Sequence, residues 1–165
     1  MFDEDVPLYS EILPALWQGG TEDDDNIYHG QKRLPTMSDP RPFDAVVSLC
    51  AYTQPVGWLT KEFRYAFADG PVEPDVYEEV ERIADWAYLE WKSGSKVLIR
   101  CQAGLNRSGL ITALVLMQSG MSADEAIDTL RKKRSTWALC NGEFEHWLLS
   151  DAPKHLTNTA TRRSA

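Results

Sequence analysis

The sequence is short of the residues from which several kinds of protein are built. Only three of its 165 residues are cysteine (Cys50, Cys101 and Cys140), three are histidine, and no two cysteines stand at C-x-x-C spacing. So odd and sparse a set argues against both a disulfide framework and a zinc site. His29, His146 and His155 are scattered, none beside a carboxylate or cysteine at ligand spacing, and read as surface or structural residues. No metal and no cofactor is expected. No run approaches the roughly 18 apolar residues needed to span a bilayer, and the opening MFDEDVPLYS is acidic where a signal peptide carries positive charge. The reading is cytoplasmic, with no membrane partner. Positive charge is also scarce: 17 Lys and Arg against 25 Asp and Glu leave a formal net charge of −8, which disfavours a broad nucleic-acid surface. Any anionic ligand must therefore meet a local site.

What is present is the composition of a folded domain, 43% hydrophobic and 25% charged, at a length suited to one compact unit. No internal repeat is found. Residues 1–151 read as a single domain, with 21–42 a long loop or insert and 152–165 a polar tail expected to be disordered. YSEILPALWQGG predicts a short hairpin or strand broken at Gly19-Gly20. AVVSLC, from Ala45 to Cys50, suits a strand buried on both faces. Phe63, Tyr65 and Phe67 alternate with Arg64 and Ala66, the period of a half-covered strand. Asp75 stands three residues before Glu78, a capping-box-like start to a helix that runs through Val76, Val80, Ile83, Ala84, Ala87 and Trp91 to Gly94. Lys96–Arg100 is another short buried strand, and LITALVLMQSG a buried helix ending at Gly120. Ser122 with Glu125 caps a further helix, and Asn141 a last one carrying Phe144, Trp147 and Leu148. The alternation implies an α/β protein: a central, mostly parallel twisted sheet of about four to five strands, helices on both faces, and a ligand site at the carboxyl ends of the strands.

The chemistry concentrates in Cys101-Gln-Ala-Gly-Leu-Asn-Arg107-Ser108-Gly109, between a strand and a helix. Backbone N–H groups of Gln102, Ala103, Gly104, Leu105 and Asn106 can converge there at a helix N-terminus, which makes an anion cradle. Gly104 can supply restricted backbone geometry, and Gly109 lets the helix approach the sheet. Arg107 can place a planar fork on two phosphate oxygens, which a lysine could not do. Cys101, at the mouth of this positive field, is expected to react as the thiolate. Together these residues describe a nucleophile facing a bound phosphoryl group.

The pattern C-x5-R-S between strand and helix resembles the signature of the cysteine-dependent protein tyrosine phosphatases, and the chain's size resembles their dual-specificity branch. The resemblance spans roughly Leu16 to Leu149. It implies a metal-independent phosphatase working through a cysteinyl-phosphate on a phosphorylated protein or peptide, as a monomer. The family places an aspartate general acid in a loop upstream of the cysteine, and here Asp69, in FADGP, lies 32 residues before Cys101. Expelling an alkoxide or phenolate from phosphorus is slow unless the leaving oxygen is protonated. Asp69 is otherwise a turn former before Gly70, and Asp75 is the rival acid. By the same resemblance Ser108 donates to the Cys101 sulfur, and Asn141 matches an asparagine of the family's Asn-x-x-Phe segment, although a helix cap accounts for it. One departure stands out: the family usually has His before the nucleophile, where this chain has Arg100. Its loss puts the tuning of the cysteine in question.

Cys50 and Cys140 read as small buried hydrophobes, or as partners of an oxidised Cys101. Trp58 is the tryptophan placed best to stack on a ligand. The leading expectation is hydrolysis of phosphotyrosine, with phosphoserine and phosphothreonine if the cleft is shallow. GLNRSG also resembles the loop of metal-independent RNA triphosphatases, against which the net charge and Asp69 count. A phosphoinositide phosphatase is disfavoured by the uncharged Gln102, Ala103, Leu105 and Asn106, and a phosphate-binding module without catalysis is the remaining alternative.

Overall fold

The structure, a computed structural model, describes residues 5–22, 36–38 and 40–152. Its sheet has five strands: β1 (Tyr9–Leu13), β2 (Leu16–Gly19), β3 (Ala45–Ser48), β4 (Lys61–Arg64) and β5 (Val97–Arg100). Their spatial order is β1-β2-β5-β3-β4. β1 and β2 form the expected hairpin, turned at Ala15 with φ of 67°. β2, β5, β3 and β4 run parallel, so the sheet is mostly parallel with one antiparallel edge. β3 and β5 are buried at every position, as their unbroken apolar runs require of central strands.

Among the described residues there are four helices: α1 (Pro74–Lys92), between β4 and β5, then α2 (Arg107–Gln118), α3 (Ala123–Lys133) and α4 (Gly142–Ser150). They share one apolar core with Leu16, Ala45, Val47, Val97 and Ile99, alternate residues of the strands. From Ser108 to Met117 every residue of α2 is buried, because the helix lies between the sheet and the other helices and has no wet face. On the opposite face Val46 and Leu98 pack with Phe43, Tyr9, Trp17 and Val56. Helices were expected there too; the described cover is loop and aromatic side chains, and most of the predicted 21–42 insert lies outside the described residues, as do the 153–165 tail, His29 and His155.

Two boundaries differ from expectation. The strand predicted over 63–67 is β4, which starts two residues earlier and ends three earlier. A parallel strand lasts only as long as its partner, and β3 ends at Ser48, whose carbonyl accepts the Tyr65 N–H (3.0 Å) as the last rung. Asp75 does not cap α1: Glu73 is the N-cap, with no side-chain cap bond and a proline at the helix start, and Asp75 sits exposed in the first turn. Proline tolerates that position because its missing N–H would be unpaired anyway. The capping box of α3 forms as predicted, Ser122 Oγ accepting from Glu125 N (3.2 Å) and Glu125 Oε2 from Ser122 N (2.8 Å). Ser122→Ala should therefore cost about 1 kcal/mol of stability, read as a lower midpoint of denaturation, with α3 fraying first in hydrogen exchange.

Candidate active site

β5 ends directly in the loop at Cys101, and α2 begins at Arg107, so the loop lies at the carboxyl end of the central strand, between β2 and β3. Gly104 has φ of +71°, and a Cβ there would come within 2.5 Å of Gly19 C and 2.6 Å of Gly20 N. Only glycine fits. The loop's carbonyls are claimed by its surroundings: Gln102 O accepts from Thr21 N (2.9 Å) and Leu105 O from Leu139 N (3.2 Å). Gly104 O accepts from both Gln18 Nε2 (3.1 Å) and Arg134 Nε (3.0 Å). In a planar trans peptide C=O and N–H point in opposite directions. Carbonyls drawn outward therefore turn the N–H groups of Ala103, Leu105 and Asn106 toward the centre of the loop, at the N-terminus of α2. Inward N–H groups at a helix N-terminus are the geometry that an anion cradle requires.

Cys101 lies at the base of the cradle, 2% exposed, with Sγ 3.3 Å from Ser108 Oγ. Ser108 is fully buried and is not the cap of α2, which is Asn106. Arg107 Nη1 donates to Phe67 O (3.2 Å) and lies 3.5 Å from Leu49 O, while its Nε is buried without a hydrogen-bond partner. Gly109 lets α2 in close: a Cβ on it would meet Leu139 Cγ at 3.1 Å and Gln18 Nε2 at 3.5 Å.

Asp69 is tied to the cradle by two amides. Its Oδ2 accepts from Asn106 Nδ2 (3.1 Å) and its Oδ1 from Asn141 Nδ2 (2.9 Å). Asn106 Oδ1 in turn accepts from Asn141 N (2.9 Å). Asn141 also caps α4, its Oδ1 accepting from Glu143 N (3.1 Å) and Phe144 N (3.4 Å). Cap and site were alternatives in the sequence; one end of the amide does each. Asp75 takes no part in this network.

Arg100 does not face the thiol. Successive strand residues point to opposite faces, and the Arg100 side chain, 7% exposed, lies on the face away from the helices. There Nε donates to Ser48 Oγ (3.0 Å), and Nη2 donates to Gln54 O (2.9 Å) and lies 3.5 Å from Glu62 Oε2. Glu62 Oε2 also accepts from Ser48 Oγ (2.7 Å) and Arg64 Nη2 (3.2 Å), and Arg64 Nη1 donates to Cys50 O (3.2 Å). One carboxylate thus bridges two guanidiniums that hold the segment 50–54 from behind. That segment walls a cleft of about 780 Å³ with Tyr52, Thr53, Phe67, Gln102 and Arg107.

The remaining cysteines separate. Burial, then the neighbouring Cys101, pushes the half-buried Cys50 thiol up, with Arg107 opposing, so it stays a neutral thiol. Cys140 is exposed rather than buried as expected, its Sγ 3.5 Å from Asn106 Oδ1, because it belongs to the turn that presents Asn141. All three are free thiols. Trp58, 63% exposed, lines a groove on the far face with Val56 and Pro42, away from the cleft. Sequence reasoning missed Gln18 and Arg134. Gln18 is a lone polar residue in a buried strand, the one signal of its kind in LWQG; Arg134 ends a basic helical turn and nothing in the sequence marks it. Arg134 also donates to Ser10 Oγ (3.0 Å) and Pro7 O. Burial lowers its guanidinium from the usual value, and Cys101 opposes this. Among the described residues no group of three or more His, Cys, Asp or Glu is placed to hold a metal, and no helix is long and apolar enough to cross a membrane.

A cysteine at the floor of a strand–loop–helix anion cradle, on an α/β sheet, is the arrangement of the cysteine-based phosphatases, which are metal-independent hydrolases. Residues 60–152 match the family model described as dual specificity phosphatase, catalytic domain, and the chain belongs to that family. It is 26% identical over 133 residues to "Putative tyrosine phosphatase 123R" of Invertebrate iridescent virus 6, covering 76% of this chain and 92% of the relative. It is 32% identical over 94 residues to protein tyrosine phosphatase type IVA 3 of Homo sapiens, about half of each chain (54% and 54%). Human DUSP28 superposes with a TM-score of 0.70 at 18% identity, over 92% of this chain and 96% of that one, which shows the shared fold.

Because Arg100 serves the segment 50–54 and not the sulfur, Arg100→His, the family's usual residue, should be felt as stability. An imidazole cannot reach Ser48, Gln54 O and Glu62 together, and about 2 kcal/mol should be lost, measured by chemical denaturation.

Proposed function

We propose that the protein hydrolyses phosphotyrosine in proteins or peptides through a cysteinyl-phosphate on Cys101, with phosphoserine and phosphothreonine as further substrates. The observation that carries this reading is Arg107 Nε, a buried donor without a hydrogen-bond partner on a side chain that lines the cleft with Gln102. Leaving such a group unpaired is costly, and a phosphoryl oxygen in the cradle satisfies it.

In this reading the substrate phosphate binds to the backbone N–H groups of Gln102, Ala103, Gly104, Leu105 and Asn106 and to the fork of Arg107. The Cys101 thiolate attacks phosphorus, the bond to the tyrosine oxygen breaks, and Asp69 gives that oxygen its proton. Water then attacks the phosphocysteine, Asp69 takes a proton from it, and the sulfur leaves with the P–S electron pair. Ser108 stabilises the sulfur at that moment. Asn106 and Asn141 hold Asp69 over the cradle, and that tether supports an active enzyme over a phosphate-binding module. Residues 1–151 act as one catalytic unit, and a phosphorylated protein is the only partner needed.

Phosphate release from a phosphotyrosine peptide without added metal tests the reading; no release from it, with release from triphosphate-ended RNA, would overturn it. Asp69→Asn should slow the peptide reaction by on the order of 10² to 10⁴ and matter little for an activated aryl phosphate, whose leaving group needs no proton. Equal losses on both would remove Asp69 from the acid role. Cys101→Ser should keep phosphate binding and lose hydrolysis. Arg107→Lys should lose more than about tenfold in rate, since a point charge cannot engage two oxygens together.

A further inference from the structure

We infer that Gln18 is a positioning residue for the second chemical step: it fixes the direction of the Ser108 proton so that the hydroxyl donates to the Cys101 sulfur. Gln18 is fully buried on the helix-facing side of β2, paired with Ile99 in the ladder. Its amide lies 3.1 Å from Gly104 O and 3.2 Å from Ser108 Oγ. A backbone carbonyl can only accept, so the group facing Gly104 must be the Nε2 amide rather than the side-chain carbonyl. One of its N–H bonds is committed to Gly104 O, and the other is left for Ser108 Oγ. With its oxygen accepting from Gln18, Ser108 has one proton to place, and Cys101 Sγ stands 3.3 Å away. A neutral thiol donates into Ser108 Oγ, but a thiolate can only accept, so once the sulfur carries charge the chain of donors runs one way, from amide to hydroxyl to sulfur. A hydroxyl otherwise free to rotate is locked as a donor before the sulfur has to carry charge, which is preorganisation of the kind that lowers barriers.

The arrangement is expensive in a way a purely structural residue would not be. Gln18 Oε1 is buried with no hydrogen-bond partner, a cost a folded protein seldom carries without return. Nor does the loop need Gln18 to satisfy Gly104, whose carbonyl also accepts from Arg134 Nε at 3.0 Å. The contact that only Gln18 makes is the one to Ser108.

The inference rests on the cysteinyl-phosphate reading. In the second step water attacks phosphorus, the P–S bond breaks, its electron pair stays on sulfur as thiolate, and the water proton passes to the Asp69 carboxylate. A hydrogen bond from Ser108 lowers the energy of that developing thiolate, and Gln18 keeps the bond aimed.

The test compares Gln18→Met, Ser108→Ala and the double variant with wild type, in single-turnover and burst kinetics on an activated aryl phosphate, with thermal melting alongside. Gln18→Met should slow phosphocysteine hydrolysis about tenfold, the loss of one charge-assisted hydrogen bond, so that a burst of aryl alcohol precedes slow turnover. Its melting temperature should hold or rise, because the buried Oε1 is gone. In the Ser108→Ala background the same change should add nothing, since its route to the sulfur has been removed. Should Gln18→Met fail to fold, Gln18→Asn, whose shorter side chain withdraws the amide from Ser108, carries the same comparison. Equal slowing with and without Ser108 would overturn the inference, as would a phosphocysteine that hydrolyses at the wild-type rate in Gln18→Met. If neither wild type nor Ser108→Ala forms a phosphocysteine, the covalent reading itself falls and the inference with it.

Discussion

Turning a loop's N–H groups inward obliges its carbonyls to point outward, and every one of those carbonyls must find a donor. Much of the architecture around Cys101–Arg107 answers that single demand. Thr21 N serves Gln102, Leu139 N serves Leu105, and Gln18 with Arg134 serves Gly104. These donors come from the end of β2, from the end of α3 and from the turn before α4, so elements far apart in the chain are held to one loop. The hairpin β1–β2, the end of α3 and the turn before α4 are thereby tied to the loop that begins at Cys101.

The close approach this needs explains the glycines. Gly104 meets the backbone of Gly19 and Gly20 at distances that no side chain would allow, and Gly20 itself faces Gln102 O. A cradle whose carbonyls are held from outside keeps its N–H groups aligned before a ligand arrives.

The sheet insulates two polar systems from each other. On the helix face Cys101, Ser108, Gln18 and Arg134 form one cluster; on the other, Glu62, Arg64, Arg100 and Ser48 form a second, gathered around one carboxylate. Arg100 follows Ile99 and precedes Cys101 in the chain, yet it acts on the segment 50–54 across the strand ladder. A departure from the family pattern beside Cys101 thus has its consequence in the wall of the cleft, because strand geometry sends neighbours to opposite faces.

The strand–loop–helix that carries the proposed catalytic residues was legible in the chain because it is local: a strand, seven residues from Cys101 to Arg107, and a helix confine the cysteine, the glycine and the arginine to one loop whatever surrounds them. So were the buried strands β3 and β5 and the capping box of α3, whose signals lie within a few residues. The end of β4 was not, since a parallel strand stops where its partner stops, and nor was the start of α1, where a proline took the place of a side-chain cap. Asn141 looked like a cap or a site residue, and only the folded chain, by bringing Asp69 to it across 72 positions, let it be both. The roles of Gln18 and Arg134 could not be read for the same reason, though Gln18 stands out as a lone polar residue in a buried strand. Their work is to satisfy carbonyls 86 and 30 residues away, and a hydrogen bond at that distance is set by packing, which leaves no spacing in the sequence to read.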